Sequence, residues 1–512
     1  MQKLEKSSQA GYYGVAAVLC YLILNQGGYF AGGVISAGII ISVMLLWQKV
    51  RLEKVDFVFL AFSLWYLFCS VRTGFDVRYI AKGVLPLLCF MFRQLMPHSS
   101  ENARELCLKV IKIAFYITIF AIFTCIYLSV KSMRLRRLVF PFQYANGSGI
   151  FFGVMFILAR YAGFEWAKKR QYVFFAGLAL TQSVGAIGLT VLAELLMSRD
   201  RRKTLVLLAV IVVGAVVLRG RIYQSIGTFI ERFLQIQDGF ICMADNPVFG
   251  IGAGRWELYK NLYQTGFYDA HEIHGSLGQI GAASGFVGLA LFVLTLVTAF
   301  RYVRFENKAY LAGAVMLIFH SFLDFTLTFA ALGFLLMLMF SCGERENGKS
   351  IEFKTFAKPA VLVLLAAGFC VLGVGMYQIK KLDGMDIGKN YPKYVSYYQS
   401  NPLSQKSVGT RENYAKALYA TGKKEECLNV IESIDVLSSD MVVLKKGCVG
   451  EWKEVMKYIE QQPYNPVLYK TVCYNSNDEE LQKQAEERLD EAIASMSFLG
   501  KLLYEFMGEK II

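Results

Sequence analysis

The sequence predicts an all-α polytopic membrane protein with about 12–13 transmembrane helices, one large extracytoplasmic loop and an α-helical, repeat-like C-terminal domain. Three observations predict it. Apolar residues make up 55% of the 512 positions, above the roughly 45–50% of soluble domains, and mean hydropathy is +0.41. They gather in long blocks such as "AFYITIFAIFTCIYLSV" (114–130) and "AVLVLLAAGFCVLGVGMY" (360–377). Spans of roughly 17–25 apolar residues cross a bilayer as helices, because hydrocarbon forces each backbone amide to pair within its own segment. Finally, the blocks give way after residue 378 to a charged tail with apolar residues at helical spacing.

Basic residues flank spans on the cytoplasmic side. Lys3 and Lys6 put the N-terminus inside, and the first block reads as a start-transfer helix rather than a cleaved signal. Spans near 11–25 and 29–47 form a hairpin through "LNQGGYFAGG". Further spans lie near 56–70, 79–92, 110–130 and 150–163, and alternation places the loop 131–149 outside. The stretch 172–197 lies between "KKR" and "SRDRRK", both cytoplasmic in character. Two short helices with a tip at "TQSVGA" (181–186) reconcile them, whereas a single span inverts everything downstream. Span 204–218 then leads to an outer loop, 219–283. Spans 284–303, two within 309–341, and 357–377 complete the membrane part and leave the tail outside. The domains are thus 1–110 (N-terminal helices), 110–378 (main membrane domain) and 379–512 (outer helical domain). In the tail, 411–434 and 451–472 read as paired short helices, resembling tetratricopeptide repeats.

Net charge is +14. Residues 378–512 carry 18 Lys and Arg against 20 Asp and Glu, so an excess of +16 belongs to the first 377 residues. A basic membrane protein meets anionic lipid rather than nucleic acid. The eleven cysteines have no CxxC or Cys/His ligand spacing and read mostly as small core residues. Pairing among Cys427, Cys448 and Cys473 is left open.

Chemistry concentrates in the outer loops. Lys131, Arg134, Arg136 and Arg137 lie in one, and Arg219, Arg221, Arg232 and Arg255 in the other. Arginines there either neutralise lipid head groups and local acids or form an anion site, where guanidinium forks grip phosphate oxygens in pairs. "DNPVFGIGAGRW" (245–256) lacks the preceding strand and the Lys-Ser/Thr of a nucleotide loop, so its glycines mark a tight turn. "DAHEIHGSLGQIGAASG" (269–285) holds His271 and His274 beside small residues. A neutral imidazole there takes a proton from an attacking hydroxyl. The rival is a metal site with Asp269 and Glu272. His320 and Asp324, one helical turn apart in or near a span, either serve function or satisfy each other.

Together these residues resemble the O-antigen ligase / O-antigen polymerase (Wzy_C-type) superfamily of bacterial membrane glycosyltransferases over about residues 110–341. "HGSLGQIGAASGF" sets His274, Ser276, Gln279, Gly285 and Phe286 in the family register. "ERFLQIQDGFICMADNPVFGIG" sets Arg232 fifteen residues before Pro247. "RLVFPFQYANG" points to Arg137, Tyr144 and Asn146, and "HSFLDF" to His320 and Asp324. The pattern departs at Val184, where members often carry Arg, and at Gly275 and Ala283; Arg72, Arg78 or Arg255 are candidate replacements for the missing cation.

The resemblance implies a metal- and cofactor-independent glycosyltransferase in the bacterial cytoplasmic membrane, working at its outer face in surface-polysaccharide synthesis. The donor is a glycan on undecaprenyl pyrophosphate, held by Arg232 and Arg137, and His274 is catalytic. His271, Arg255, Asn146, Tyr144, Gln279, His320 and Asp324 are supporting candidates. The acceptor is a glycan, a lipid or a protein hydroxyl, and the tail is available to protein partners. The alternatives are a lipid-linked glycan flippase and a non-catalytic assembly protein.

Overall fold

The computed structural model describes residues 2–198, 200, 202, 209, 212, 216, 219–345, 351–352 and 357–507. Among the described residues are 24 α-helices and four two-residue strands, paired as Arg51–Leu52 with Ile351–Glu352 and Val303–Arg304 with Glu344–Arg345. Most of the predicted span 204–218, and parts of the stretches 198–203 and 342–349, lie outside the described residues. Two compact units divide the chain. The first comprises Met1–Trp65, Val84–Ser225 and Ala290–Cys370; the second comprises Tyr66–Gly83, Ile226–Leu289 and Val371–Ile512.

Among the described residues four helices are long and apolar enough to cross a membrane: Lys54–Arg72, Ser100–Ser132, Ser276–Tyr302 and Ala357–Asp383. Shorter apolar helices, among them Ala31–Trp47, Lys308–Phe322 and Ala330–Ser341, accompany them. Helix Ser100–Ser132 begins before the predicted span 110–130, so residues 100–109, which lie between two predicted spans, are its first part. It leaves Phe120, Phe123 and Tyr127 more than half exposed. Such a bare aromatic face has no favourable contact in water and is matched by hydrocarbon. The predicted span 79–92 is corrected to two helices, Val77–Gly83 and Leu85–Leu95. Pro86 has no N–H to continue the ladder and sits where a helix start tolerates it.

The first unit is organised around helix Ala145–Tyr161, whose residues from Gly147 to Ala159 are all buried. Gly149 and Gly153, one turn apart, let the second helix of a pair approach. A Cβ at Gly153 would lie 2.3 Å from Thr190 Oγ1. That pair is Gln171–Thr181 and Val184–Met197, separated at Gln182, which holds φ of 53°. The two short helices predicted for 172–197 are therefore present. Arg160 fastens their far ends: Nη1 donates to Gln171 at 2.8 Å, and Nη2 pairs with Glu194 at 2.9 Å. The helices rise about 17 and 21 Å, short of the ~30 Å hydrocarbon thickness, so neither alone is a crossing.

In the second unit, helix Arg219–Asp245 leads into a turn, helix Trp256–Tyr263, an irregular segment and the start of helix Ser276–Tyr302. The tail is helical, from Tyr391–Ser400 to Phe498–Met507. Within 411–434 the break falls at Gly422, whose φ of 80° suits glycine, between helices Val408–Ala420 and Lys424–Glu432. Helix Lys453–Gln461 stops before Pro463, and Pro466 opens Pro466–Asn475. The tail core is built from Tyr394, Leu418, Ile431, Val455 and Leu468 among others. A smaller core joins Leu234, Trp256 and Ile273 of the loop to Leu503 of the last helix. All eleven cysteines are free thiols, including Cys427, Cys448 and Cys473.

Candidate active site

In the first unit the hairpin tip carries a connected polar cluster. Arg137 Nε donates to the Thr181 carbonyl at 2.9 Å, and Nη2 to Asn146 Oδ1 at 3.3 Å. Ser183 Oγ donates to the same oxygen at 3.0 Å. The Asn146 amide nitrogen turns the other way, to Tyr144 Oη and Asp324 Oδ2, each at 2.9 Å. Tyr144 Oη also donates to Asp324 at 2.9 Å, and its ring stacks on Phe325 with centroids 4.7 Å apart. The Asp324 carboxylate, fully buried, accepts the Phe325 amide as well. Four sequence candidates, Arg137, Tyr144, Asn146 and Asp324, thus meet in one network. His320 Nδ1 meets Thr326 Oγ1 at 2.6 Å. Arg137 is bonded to the carbonyl of Thr181, three residues before Val184. Helix Val184–Met197 starts there and adds the positive end of its dipole.

In the second unit a turn of unusual backbone sets the scene. Gly250, Gly252 and Gly254 hold φ of 61, 87 and 71°, and Gly285 breaks helix Ser276–Tyr302 with φ of 68°. The two segments are zipped together by Ile251 N to Ala282 O at 2.8 Å, Gly252 N to Ala283 O at 3.0 Å and Phe286 N to Pro247 O at 2.7 Å. The glycines serve close backbone packing, as expected of a tight turn. Nearby, helix Arg219–Asp245 comes close to 273–278: a Cβ on Gly239 would lie 2.8 Å from Ile273 Cδ1.

One turn before Gly239, Gln235 meets His274. Gln235 Oε1 accepts both the His274 backbone N–H at 2.9 Å and a bond from Nδ1 at 2.8 Å. Its Nε2 donates to Glu231 Oε1 at 2.9 Å. The amide is fixed at both ends, so Oε1 is the acceptor and the neutral ring carries its hydrogen on Nδ1. Nε2 then holds the lone pair, as a general base requires. Burial raises the Glu231 carboxyl, and adjacent Arg232 partly offsets this. Arg232 lies three residues before Gln235 and is half-buried, its guanidinium 5.6 Å from the Phe229 ring centroid. Gln235 and Glu231 escape a reading of the sequence alone. Their signal is the i, i+4 pair in "ERFLQ", which has meaning only once residue 274 is known to face it.

The remaining candidates have other duties. Gln279 donates to Glu272 at 2.6 Å, and buried Glu272 also pairs with Lys82. Exposed His271 meets Glu257 at 2.8 Å, while Asp269 pairs with Lys260. The four groups weighed as metal ligands therefore have separate partners, and among the described residues no three His, Cys, Asp or Glu are grouped to hold a metal. Arg255, 5% exposed, donates to the Thr73 carbonyl at 2.5 Å and lies over the Tyr79 ring. Arg78 pairs with Asp383 at 2.5 Å, and Arg72 covers the Phe249 ring.

Asp238, fully buried on the same helix, accepts from Thr265 Oγ1 at 2.7 Å and Tyr268 Oη at 2.9 Å. Burial outweighs these bonds and pushes its carboxyl up from an ordinary 3.8 to about 6. Between those values the folded chain holds a proton that the unfolded chain lacks. The stabilisation is complete below about pH 4 and disappears as pH rises through about 6, roughly 3 kcal/mol at most. Melting of the detergent-solubilised protein at pH 4 and pH 7 is expected to show this decline, and Asp238→Asn to flatten it.

No family model matches the chain, and no curated protein matches it either.

Proposed function

We propose that the protein is a glycosyltransferase of the bacterial cytoplasmic membrane. It moves a glycan from undecaprenyl pyrophosphate to an acceptor hydroxyl at the outer face, as a surface-polysaccharide ligase or polymerase with a repeat-like outer tail. The observation that carries this reading is the chain Glu231–Gln235–His274, with Arg232 one turn from Gln235. An oriented imidazole and a neighbouring guanidinium are the two groups that this transfer needs.

The acceptor hydroxyl attacks the anomeric carbon and passes its proton to His274 Nε2. The bond from that carbon to the diphosphate oxygen breaks, and its electron pair leaves with the polyprenyl diphosphate. Arginine charge matches the growing negative charge on the leaving group, which makes it a good one without help from a metal. Arg232 and Arg137 are each proposed as a phosphate ligand, and each is tested by itself.

The test uses full-length protein in liposomes, an undecaprenyl-pyrophosphate-linked glycan and EDTA, with covalent product as the readout. Wild type is expected to form product, and Arg232→Ala and Arg137→Ala each to lose at least about tenfold, the loss of one charge-assisted pair. Full activity in both variants refutes the assignment. Movement of lipid-linked glycan across the bilayer with no new covalent bond refutes the reading in favour of a flippase.

A further inference from the structure

Within the second unit, helix Arg219–Asp245 is turned the wrong way round for water over residues 226–245. Its buried positions include Gln235 and Asp238, which have no exposed surface, beside Leu234, Cys242 and Met243. Its exposed positions include Ile226, Phe233, Phe240 and Ile241, which are 37 to 49% open. A surface helix of a soluble domain shows the reverse, with its apolar stripe toward the core and its polar side chains outward.

Spacing makes the exposed residues one surface. Ile226, Phe233 and Phe240 stand seven apart, and seven helical steps return to the same face with a drift of about 20°. Ile241 flanks them, half-buried Phe229 lies on the same side, and Gln237 interrupts the stripe. Arg232 stands at its edge, its guanidinium 5.6 Å from the Phe229 ring centroid. A long cationic side chain suits such an edge, because its stem covers apolar surface while its head stays with polar groups.

A second observation identifies what covers this face. Exposure continues past the helix at Val248, and the backbone there is tied to a helix of membrane-crossing length. The Pro247 carbonyl accepts from Phe286 N at 2.7 Å. Phe286 belongs to Ser276–Tyr302, which is long and apolar enough to span a bilayer. Gly285 breaks that helix, and the break divides two environments. Residues 280–285 are buried, whereas Phe286 and Val287 just beyond are 52 and 38% open. Residues 286–302 make about 25 Å of helix, most of the ~30 Å of hydrocarbon. The stripe therefore runs into the open face of a spanning helix. A soluble partner would cover the stripe but not that adjoining face.

We propose that residues 226–248 lie in the surface of the bilayer, with Ile226, Phe233, Phe240 and Ile241 among lipid acyl chains and Gln235 and Asp238 turned to the protein. Each face of the helix then meets the phase that it matches. A segment that the sequence places in an outer loop becomes an interfacial element, and a molecule that reaches Gln235 or His274 does so at headgroup depth. The inference rests on the membrane reading alone and holds whether or not the protein transfers glycans.

The test uses full-length wild-type protein in phosphatidylcholine liposomes that include a phosphatidylcholine with a diazirine in its acyl chain. Irradiation makes a carbene that inserts into neighbouring C–H bonds, and mass spectrometry locates the adducts. Phe120 and Phe123 of helix Ser100–Ser132 are the reference for hydrocarbon, and Tyr474 in the tail, 82% exposed, is the reference for water. Adducts are expected at Phe233, Phe240 and Ile241, about tenfold above Tyr474, as for a helix sunk into the acyl boundary. Adducts at Phe120 and Phe123 with none in 226–248 overturn the proposal and leave the membrane reading intact; so does labelling of 226–248 no stronger than that of Tyr474. Absence of adducts from both helices overturns the proposal together with the membrane reading. Cross-links that join 226–248 to a second copy of the chain, in place of lipid adducts, overturn it in favour of an interface between copies.

Discussion

If the proposed glycosyltransferase reading holds, replacing His274 by alanine is expected to lower the turnover of glycan transfer by about 10²–10⁴-fold, the usual contribution of a positioned general base. The loss should fall on kcat, because in the proposed mechanism the ring meets the acceptor proton in the transition state and contributes little to ground-state binding. Gln235 permits a sharper test. It acts through His274, holding the hydrogen on Nδ1. Gln235→Glu preserves an acceptor at that nitrogen and adds a negative charge, which stabilises imidazolium. The acidic limb of the pH–rate profile is expected to move upward, with protein stability measured in parallel. A profile unchanged in shape, with activity scaled by folding alone, removes the histidine from the chemistry.

Gly250→Ala is expected to be as damaging by another route. A Cβ at this residue would lie 2.4 Å from the Ala282 carbonyl oxygen and 2.5 Å from Ser284 N, on a backbone with φ of 61°. The obstacles are main chain, so no side chain can swing away. Strain and displacement together are expected to cost about 3–5 kcal/mol, at the severe end for a single substitution. Gly188→Ala is the control, since a Cβ there meets nothing within 4 Å and a helical Gly→Ala change is favourable by up to about 1 kcal/mol. Melting temperature and yield of the solubilised protein report both. A Gly250→Ala protein as stable as wild type would show that the zipped turn does not hold the unit together.

What was legible in the sequence was what local chemistry dictates. The two short helices of 171–197 could be read from positive charge on both sides of one apolar stretch and from polar residues at 181–183. The glycines of 250–254 announced a turn because no strand or Lys-Ser/Thr accompanied them. The partners of these elements were not legible. Asp324 and Asn146 stand 178 positions apart, and His274 and Gln235 stand 39 apart. No spacing rule connects residues at such separations. Arg255 was a supporting candidate by its charge alone, and the Thr73 and Gly74 carbonyls that it bonds, more than 180 positions away, were not legible. The break at Val84 was hidden inside an apolar run, where Pro86 alone marked it.

The amide of Gln235 carries no charge, and this governs the stage after bond-making. In a carboxylate–histidine couple the ring gains its proton beside a fixed anion. Here the group bonded to Nδ1 is neutral, and the carboxylate of Glu231 stands behind it, one amide further away. On the proposed reading the imidazolium formed in the transfer is stabilised less than it would be beside a carboxylate, so the ring gives up its proton readily and returns to the neutral form that begins the next cycle.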